Sequence, residues 1–504
     1  MTFARYFRGA ATVAGLCMGT TALADVTAGQ VWGDFKSYLQ GFGYEITADE
    51  TQTGDGLTVS NVTMVMEMPE GAGTARVTVP ELSFSETGDG SVEMTMPNMS
   101  TTTYNVDVEG EGDSSGEIDV VQNDFVMLVS GSPGDMVYNY SATDMQMAFK
   151  NLMVDGKPVD VAVARVEMRN LEGQSNSKVT DLRRTEQTMR AGSMGYDIDM
   201  ADPEGGSGRL VMKGAVSAIE FAGTATTPTE AVDTNDMNAM LESGFGVEGN
   251  FTHSGSTTEF SFDEDASTVS GTVVSKSGSL GVRMDAGQLG YTVGSNDVTL
   301  NVTSSDLPFP VEMAMADSQL KFEMPVTPSE DPQDFALAIK LGDFVMSDMI
   351  WSMFDPAGQL PRDPATIAVD LTGTARLDAP IMDPEAMESA EAPGELRTLT
   401  IGDLVLRLAG AELTGAGDFT FDNSDTSTFD GMPRPEGALN LKLVGGNTLL
   451  DTLVAMGFVP QEQATGVRMM MGLFAVPGEG EDTLTSRIEV NEQGHVLANG
   501  QRLR

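Results

Sequence analysis

The chain has 504 residues, 75 of them acidic and 28 basic, and a formal net charge of −47. Such a surface repels phosphate backbones, which argues against a nucleic-acid partner. With 40% hydrophobic and 20% charged residues, the composition is that of a folded protein with ample core, not of a disordered chain.

The first 24 residues read as a signal peptide. Arg5 and Arg8 give a positive start, Gly9 to Thr20 a short apolar run, and Ala22-Leu23-Ala24 a small-residue cleavage motif. Cleavage between Ala24 and Asp25 predicts a periplasmic or extracellular product. It removes Cys17, the only cysteine, so no disulfide is expected. No later apolar run reaches transmembrane length.

A first helix is expected from a capping box at Thr27 and Gln30 and an apolar stripe at Val31, Phe35, Tyr38 and Leu39, followed by Gly41-Phe42-Gly43. The period then drops from 3.6 to 2. Leu57, Val59, Asn61 and Thr63 alternate with Thr58, Ser60, Val62 and Met64, and Met64, Met66 and Met68 continue one face. Strand-like runs separated by Gly, Asp and Asn follow to Thr226-Thr227-Pro228; residues 181–190 fit a short helix or a crossing strand. A central helix, capped at Asp233 or Thr234, carries Met237, Met240 and Leu241 and stops at Gly244-Phe245. More strands lead to Phe335, Leu337, Ile339 and Leu341, which alternate cleanly. A short helix carries Ile350, Trp351 and Phe354 before a proline-rich crossing to Pro364. Strands at 367–371, 398–408, 413–421 and 438–444 precede a helical hairpin. Its first helix, Thr448–Met456, stops at Gly457-Phe458; its second, Pro460–Ala475, has a stripe of Val467, Met470, Met471 and Phe474. The predicted fold is mostly β: a long curved antiparallel sheet, groove or sandwich, with a few short helices. The recurring helix–Gly–Phe unit suggests two β-rich units, 25–228 and 229–504, sharing a sheet.

Catalytic signatures are sparse. Gly244-x-Gly246-x-x-Gly249 has the letters of a dinucleotide loop but follows a helix and precedes a strand, the reverse of what that loop requires. Ser175-x-x-Lys178 has a serine–lysine spacing without its companion motifs, and Gly112-x-Ser114-x-Gly116 lacks the helix of a nucleophile elbow. Two isolated histidines, His253 and His495, do not supply a three-ligand zinc site. No cofactor is expected. Paired Met positions at 64/66/68, 94/96 and 313/315 suit core packing, a soft-metal face, or a flexible groove for acyl chains.

The stretch from Trp351 to Pro364, Phe419-Thr-Phe-Asp-Asn423, Met469-Met-Met-Gly-Leu-Phe474 and Asn499-Gly500 together resemble the exported family designated domain of unknown function 2125. The resemblance carries over no catalytic residue. More distantly, the C-terminal order of strand, helix–Gly–Phe, helix and strand is similar to envelope proteins of the AsmA-like type. That similarity implies a long β structure with an apolar groove that handles lipid. The leading expectation is therefore a non-enzymatic envelope protein with lipid or an envelope protein as partner. A structural or adhesive β protein and a hydrolase built on Ser114, Ser175 or a carboxylate pair are the alternatives.

Overall fold

The computed structural model describes residues 25–504 apart from 68–72, 109–111, 204–205, 230–231, 233–235 and 391–392. The signal segment with Ala24, the caps Asp233 and Thr234, and Met68 lie outside the described residues. The chain opens with α1 (Ala28–Gln40), β1 (Tyr44–Thr53), β2 (Gly56–Glu67), β3 (Gly73–Glu86), β4 (Val92–Thr95), β5 (Met99–Val108), β6 (Gly112–Asn123) and β7 (Val126–Ser132). Next come β8 (Asp135–Val154), β9 (Lys157–Pro158), β10 (Val161–Val179), β11 (Leu182–Ala201), β12 (Arg209–Pro228), α2 (Met237–Glu242), β13 (Gly246–His253), β14 (Ser256–Glu264) and β15 (Ser267–Ser275). Then follow β16 (Ser277–Met284), β17 (Gln288–Ser304), β18 (Val311–Pro325), β19 (Gln333–Met346), α3 (Asp348–Phe354), β20 (Ala365–Leu377), α4 (Pro384–Ser389) and β21 (Gly394–Leu408). The chain closes with β22 (Ala411–Asp422), β23 (Arg434–Val444), α5 (Gly446–Ala455), α6 (Gln461–Phe474), β24 (Val476–Pro477), β25 (Thr483–Val490), β26 (Val496–Ala498) and β27 (Gln501–Arg502). The protein is mostly β and antiparallel, as its alternation predicts. Within residues 181–190, everything from Leu182 on is strand, part of β11.

Two compact units emerge, Met1–Ser277 with Val302–Pro308, and Gly278–Asn301 with Phe309–Arg504. In the first, α1 forms where the capping box predicts: Thr27 accepts from Gln30 N, and Gln30 reaches back to Thr27 N. Ala28, Val31 and Trp32 are buried, and Trp32 Nε1 donates to Glu50 at 2.6 Å. The helix ends differently from the expectation. Gly41 stays right-handed (φ −62°), and Gly43 takes the left-handed turn (φ +84°). The central helix is capped by Asp236, which accepts from Ala239 N at 2.9 Å. It closes with Phe245 N donating to Met240 O and Gly244 N to Leu241 O, around a left-handed Gly244 (φ +95°). Phe42 and Phe245 meet edge to face at 6.2 Å, so α1 and α2 end against each other.

The first unit's strands run β1–β2–β3, then fork. One end of β3 pairs with β5 and the other with β4; β5 leads through β6, and β4 through β7, to opposite ends of β8. The order continues β8–β10–β11–β12, and β12 forks again to β13 and β14. A crease crosses the long strands between the forks. On it, inward residues fall three apart instead of two: Ala142 and Met145, Leu171 and Met168, Ala191 and Met194, Ile219 and Val216. Each set is made of cross-strand partners. Left-handed Asn170 (φ +52°) and Ala218 (φ +47°) sit at this step, and the pairing register is the same on both sides of it. In β2 the left-handed Asn61 (φ +51°) lies where the register against β1 shifts by one residue, and Val59 and Val62 both point into the core. This corrects the predicted alternation: Leu57 and Val59 share a face with Val62 and Met64. Strict period 2 breaks because one residue is added at Asn61.

The second unit's strands run in the order β18–β19–β20–β21–β22–β23–β25–β26–β27. α5 ends with Gly457 N donating to Val454 O and Phe458 N to Leu453 O, and Gly457 is left-handed (φ +81°). Asn499-Gly500 (φ +49° and +81°) forms the two-residue turn between β26 and β27.

Candidate functional site: an uncovered apolar sheet face

Alternation along β18–β25 sorts side chains onto two faces. One face is polar. It carries the ion pairs Lys340–Asp317 (2.7 Å), Lys321–Glu323 (2.8 Å), Arg407–Glu412 (3.2 Å) and Arg487–Glu489 (3.2 Å). The other is an apolar lattice whose rows are set by strand register. One row runs Leu341, Ile367, Leu406, Leu413, Leu443, Leu484. The next runs Leu320, Ile339, Val369, Leu404, Gly415, Leu441. A third runs Phe322, Leu337, Leu371, Ile401, Gly417, Leu439, Ile488. Phe335 starts a fourth and lies over Gly373, where an added Cβ would sit 2.6 Å from its ring.

This face is not closed as a core would be. Ile339 and Leu341 are 42% exposed, Ile367 is 47% and Leu406 44%. An aliphatic side chain gains about 1.5–3 kcal/mol on full burial, so each leaves a substantial fraction unclaimed. With strands about 4.8 Å apart, six or seven of them span roughly 25–30 Å. That exceeds the roughly 15 Å of hydrocarbon in one bilayer leaflet.

One end of the face is capped. Trp351, Leu360 and Ala409 are buried together with Met346, Leu449, Leu453 and Met456 against them. Asp355 holds the crossing in place by accepting from the N–H groups of Gln359 (2.9 Å) and Leu360 (2.8 Å), and those bonds hold its carboxyl below the usual range. The Arg362 guanidinium lies 6.0 Å over the Trp351 ring and pairs with Asp348. The Trp351-to-Pro364 stretch thus shapes an end wall.

A second cluster, in the first unit, is polar and buried. Arg183 donates to both carboxylate oxygens of Asp34 (2.8 and 2.9 Å) and to Ser177 Oγ (2.8 Å). Tyr138 OH donates to the same carboxylate. Burial first, and the Asp34 charge next, push the Tyr138 phenol well above its ordinary value. Ser175 and Thr185 lie nearby on the same strands, and their hydroxyls have no partner among the described residues.

The sequence-selected groups are placed as follows. Ser175 is fully buried and Lys178, three residues on in the same strand, is exposed and pairs with Asp135. An odd offset in a strand puts the two on opposite faces, so they form no dyad. Ser114 lies in β6 opposite Val106 of β5, and no helix follows it. His253 Nδ1 accepts from Gly255 N at 3.3 Å; His495 N donates to Asn491 at 3.1 Å. Among the described residues no group of three His, Cys, Asp or Glu is placed to hold a metal. Gly244 ends α2 and Gly246 opens β13. Phe245 is buried and Phe458 is 55% exposed. Among the described residues no helix is long and apolar enough to cross a membrane.

Met64 and Met94 fill the first unit's core, so those Met positions do not line a groove. The exposed apolar face is instead Leu, Ile and Phe in the second unit. Its sequence signal was present in Phe335-x-Leu337-x-Ile339-x-Leu341. What strand patterning did not supply was whether anything covers it.

No curated protein matches the sequence. Residues 250–499 match the model of a family described as an uncharacterized protein conserved in bacteria (DUF2125). Over those residues, which include the whole apolar lattice, the chain belongs to that family, the domain of unknown function 2125.

Proposed function

We propose that this is a non-enzymatic envelope protein, exported by its N-terminal signal, that holds the acyl chain of a lipid along the apolar face of β18–β25. The observation that carries the reading is the lattice itself: rows of aliphatic side chains across six or seven strands, left nearly half exposed at Ile339, Leu341, Ile367 and Leu406. Monomeric proteins rarely leave so large a contiguous apolar patch without a ligand or partner. The resemblance to AsmA-like envelope proteins supports the same reading by analogy of fold. The polar reverse face keeps the unit solvated while one side is kept for hydrocarbon.

The test is direct. Protein purified without detergent is extracted with organic solvent and the extract read by mass spectrometry, and a fluorescent fatty acid is titrated onto delipidated protein. Lipid in the extract and saturable probe binding are the expected results. Ile339→Asp and Leu406→Asp, each placing a charge in the lattice, are expected to weaken probe binding about tenfold or more while leaving the circular dichroism spectrum unchanged. A lipid-free preparation that also fails to bind the probe refutes the reading.

A further inference from the structure

The outer helix of the C-terminal hairpin has no partner on most of its surface. α5 turns Leu449, Leu453 and Met456 inward onto Trp351, Leu360 and Ala409. α6 buries only Ala464. Its large apolar side chains face solvent: Met469 is 74% exposed, Met470 62% and Leu473 50%, with Val467 and Phe474 also open. A helix apolar over so much of its circumference is ordinarily buried. Its position is nevertheless fixed. Arg468 bonds Asp451 of α5, and Phe474 O accepts from Ser486 Oγ and Asn499 Nδ2.

The charge pattern identifies what covers it. From Gln463 to Gly478 there is no acidic residue, and Arg468, neutralised by Asp451, is the single charge. This stretch is a neutral apolar island on a chain of net charge −47. A second copy would bring the same large negative charge, and an anionic lipid surface would be repelled as well. A zwitterionic lipid surface would not. We propose that the exposed side of α6 docks the protein on zwitterionic lipid, with Met469, Met470 and Leu473 entering the boundary between headgroups and acyl chains. The proposal rests on the acyl-chain reading of the lattice. α5 lies between α6 and the strand ends at Ala409, so docking through α6 sets those ends beside the lipid.

The experiment is co-flotation of the full exported chain with phosphatidylcholine vesicles, compared with vesicles containing phosphatidylglycerol. Wild type is expected to float with the first and less with the second. Salt of about 0.5 M, by shortening the Debye length, is expected to bring the two together. Met470→Asp with Leu473→Asp is expected to cut flotation about tenfold and to leave fatty-acid probe binding unchanged. Ile339→Asp is expected to do the reverse, so failure of docking and failure of the acyl site are separately visible. Flotation of the α6 variant at the wild-type level overturns the proposal, as does preference for anionic vesicles. Wild type that stays off both vesicles also overturns it; if it is then a dimer that the α6 variant dissociates, the face is a self-association surface.

Discussion

The Asp34–Arg183 pair illustrates what a single buried interaction does in this protein. Its side chains are 8% and 4% exposed, in a chain whose other ion pairs lie largely at the surface. Exposed pairs contribute about 0–1 kcal/mol. A buried pair gives little net stability over an apolar substitute, but removing one partner strands a charge without water. Here the stranded group is Arg183, held also by Ser177 and lying 5.9 Å over the Tyr38 ring. Asp34→Ala is therefore expected to destabilise the first unit by about 3–5 kcal/mol, measured by urea unfolding. Asp34→Leu combined with Arg183→Met should recover most of that loss. A single-variant loss below about 1 kcal/mol would show that the pair is solvated and that α1 is held by Val31 and Trp32 alone. Nothing in the sequence marks this pair. Asp34 and Arg183 stand 149 residues apart, and only the fold brings α1 across β10 and β11.

At the scale of elements, the helix–Gly–Phe units look alike in sequence and differ in structure. Gly244 is left-handed, and a Cβ there would lie 2.9 Å from Leu182 Cδ1. Gly457 is left-handed with open space around it. Gly41 is right-handed and needs no glycine for its φ. Gly457→Ala should cost about 1 kcal/mol, the price of the left-handed conformation alone. Gly244→Ala should cost about 1 kcal/mol more, because Leu182 must shift as well. Equal losses in thermal unfolding would mean that the neighbourhood of Gly244 is slack. The same comparison shows why elements were legible while their detail was not. Capping at Thr27, the stop at Gly244 and the alternation of Phe335 to Leu341 are local signals, and each appears where expected. The crease is not local. Asn61 and Asn170 are residue types that tolerate a left-handed backbone, but Ala218 is not, and its φ follows from neighbouring strands that already turn there. Period-2 reasoning cannot place a step that β8, β10, β11 and β12 make together while their register stays unchanged.

For the whole molecule, the dominant long-range term is self-repulsion. A net charge of −47 works against the compact state, and the favourable pairs are mostly short contacts at exposed positions. Salt acts on the two differently. Ion pairs in contact lose little of an already small contribution. Repulsion among carboxylates farther apart is screened as the Debye length falls from about 10 Å at 0.1 M to about 3 Å at 1 M. The melting temperature should therefore rise with sodium chloride from low salt upward, most steeply at the start, and level off once screening is complete. Sulfate would raise it further by exclusion from the apolar lattice, so chloride is the cleaner test of charge. Lowering the pH toward the sequence pI of about 4.1 reduces the same repulsion by protonating carboxylates. Asp422 resists that change, because bonds from Ser424 and then Arg434 hold its pKa at about 2. Its stabilising contribution is complete above the ordinary aspartate range and is lost only as pH falls through that range toward 2, so at moderately acid pH the gain from reduced repulsion should dominate. A melting temperature that is flat or falling across the chloride series would mean that local pairing outweighs the net charge. The acid-free surface of α6 would then need another explanation than avoidance of charge.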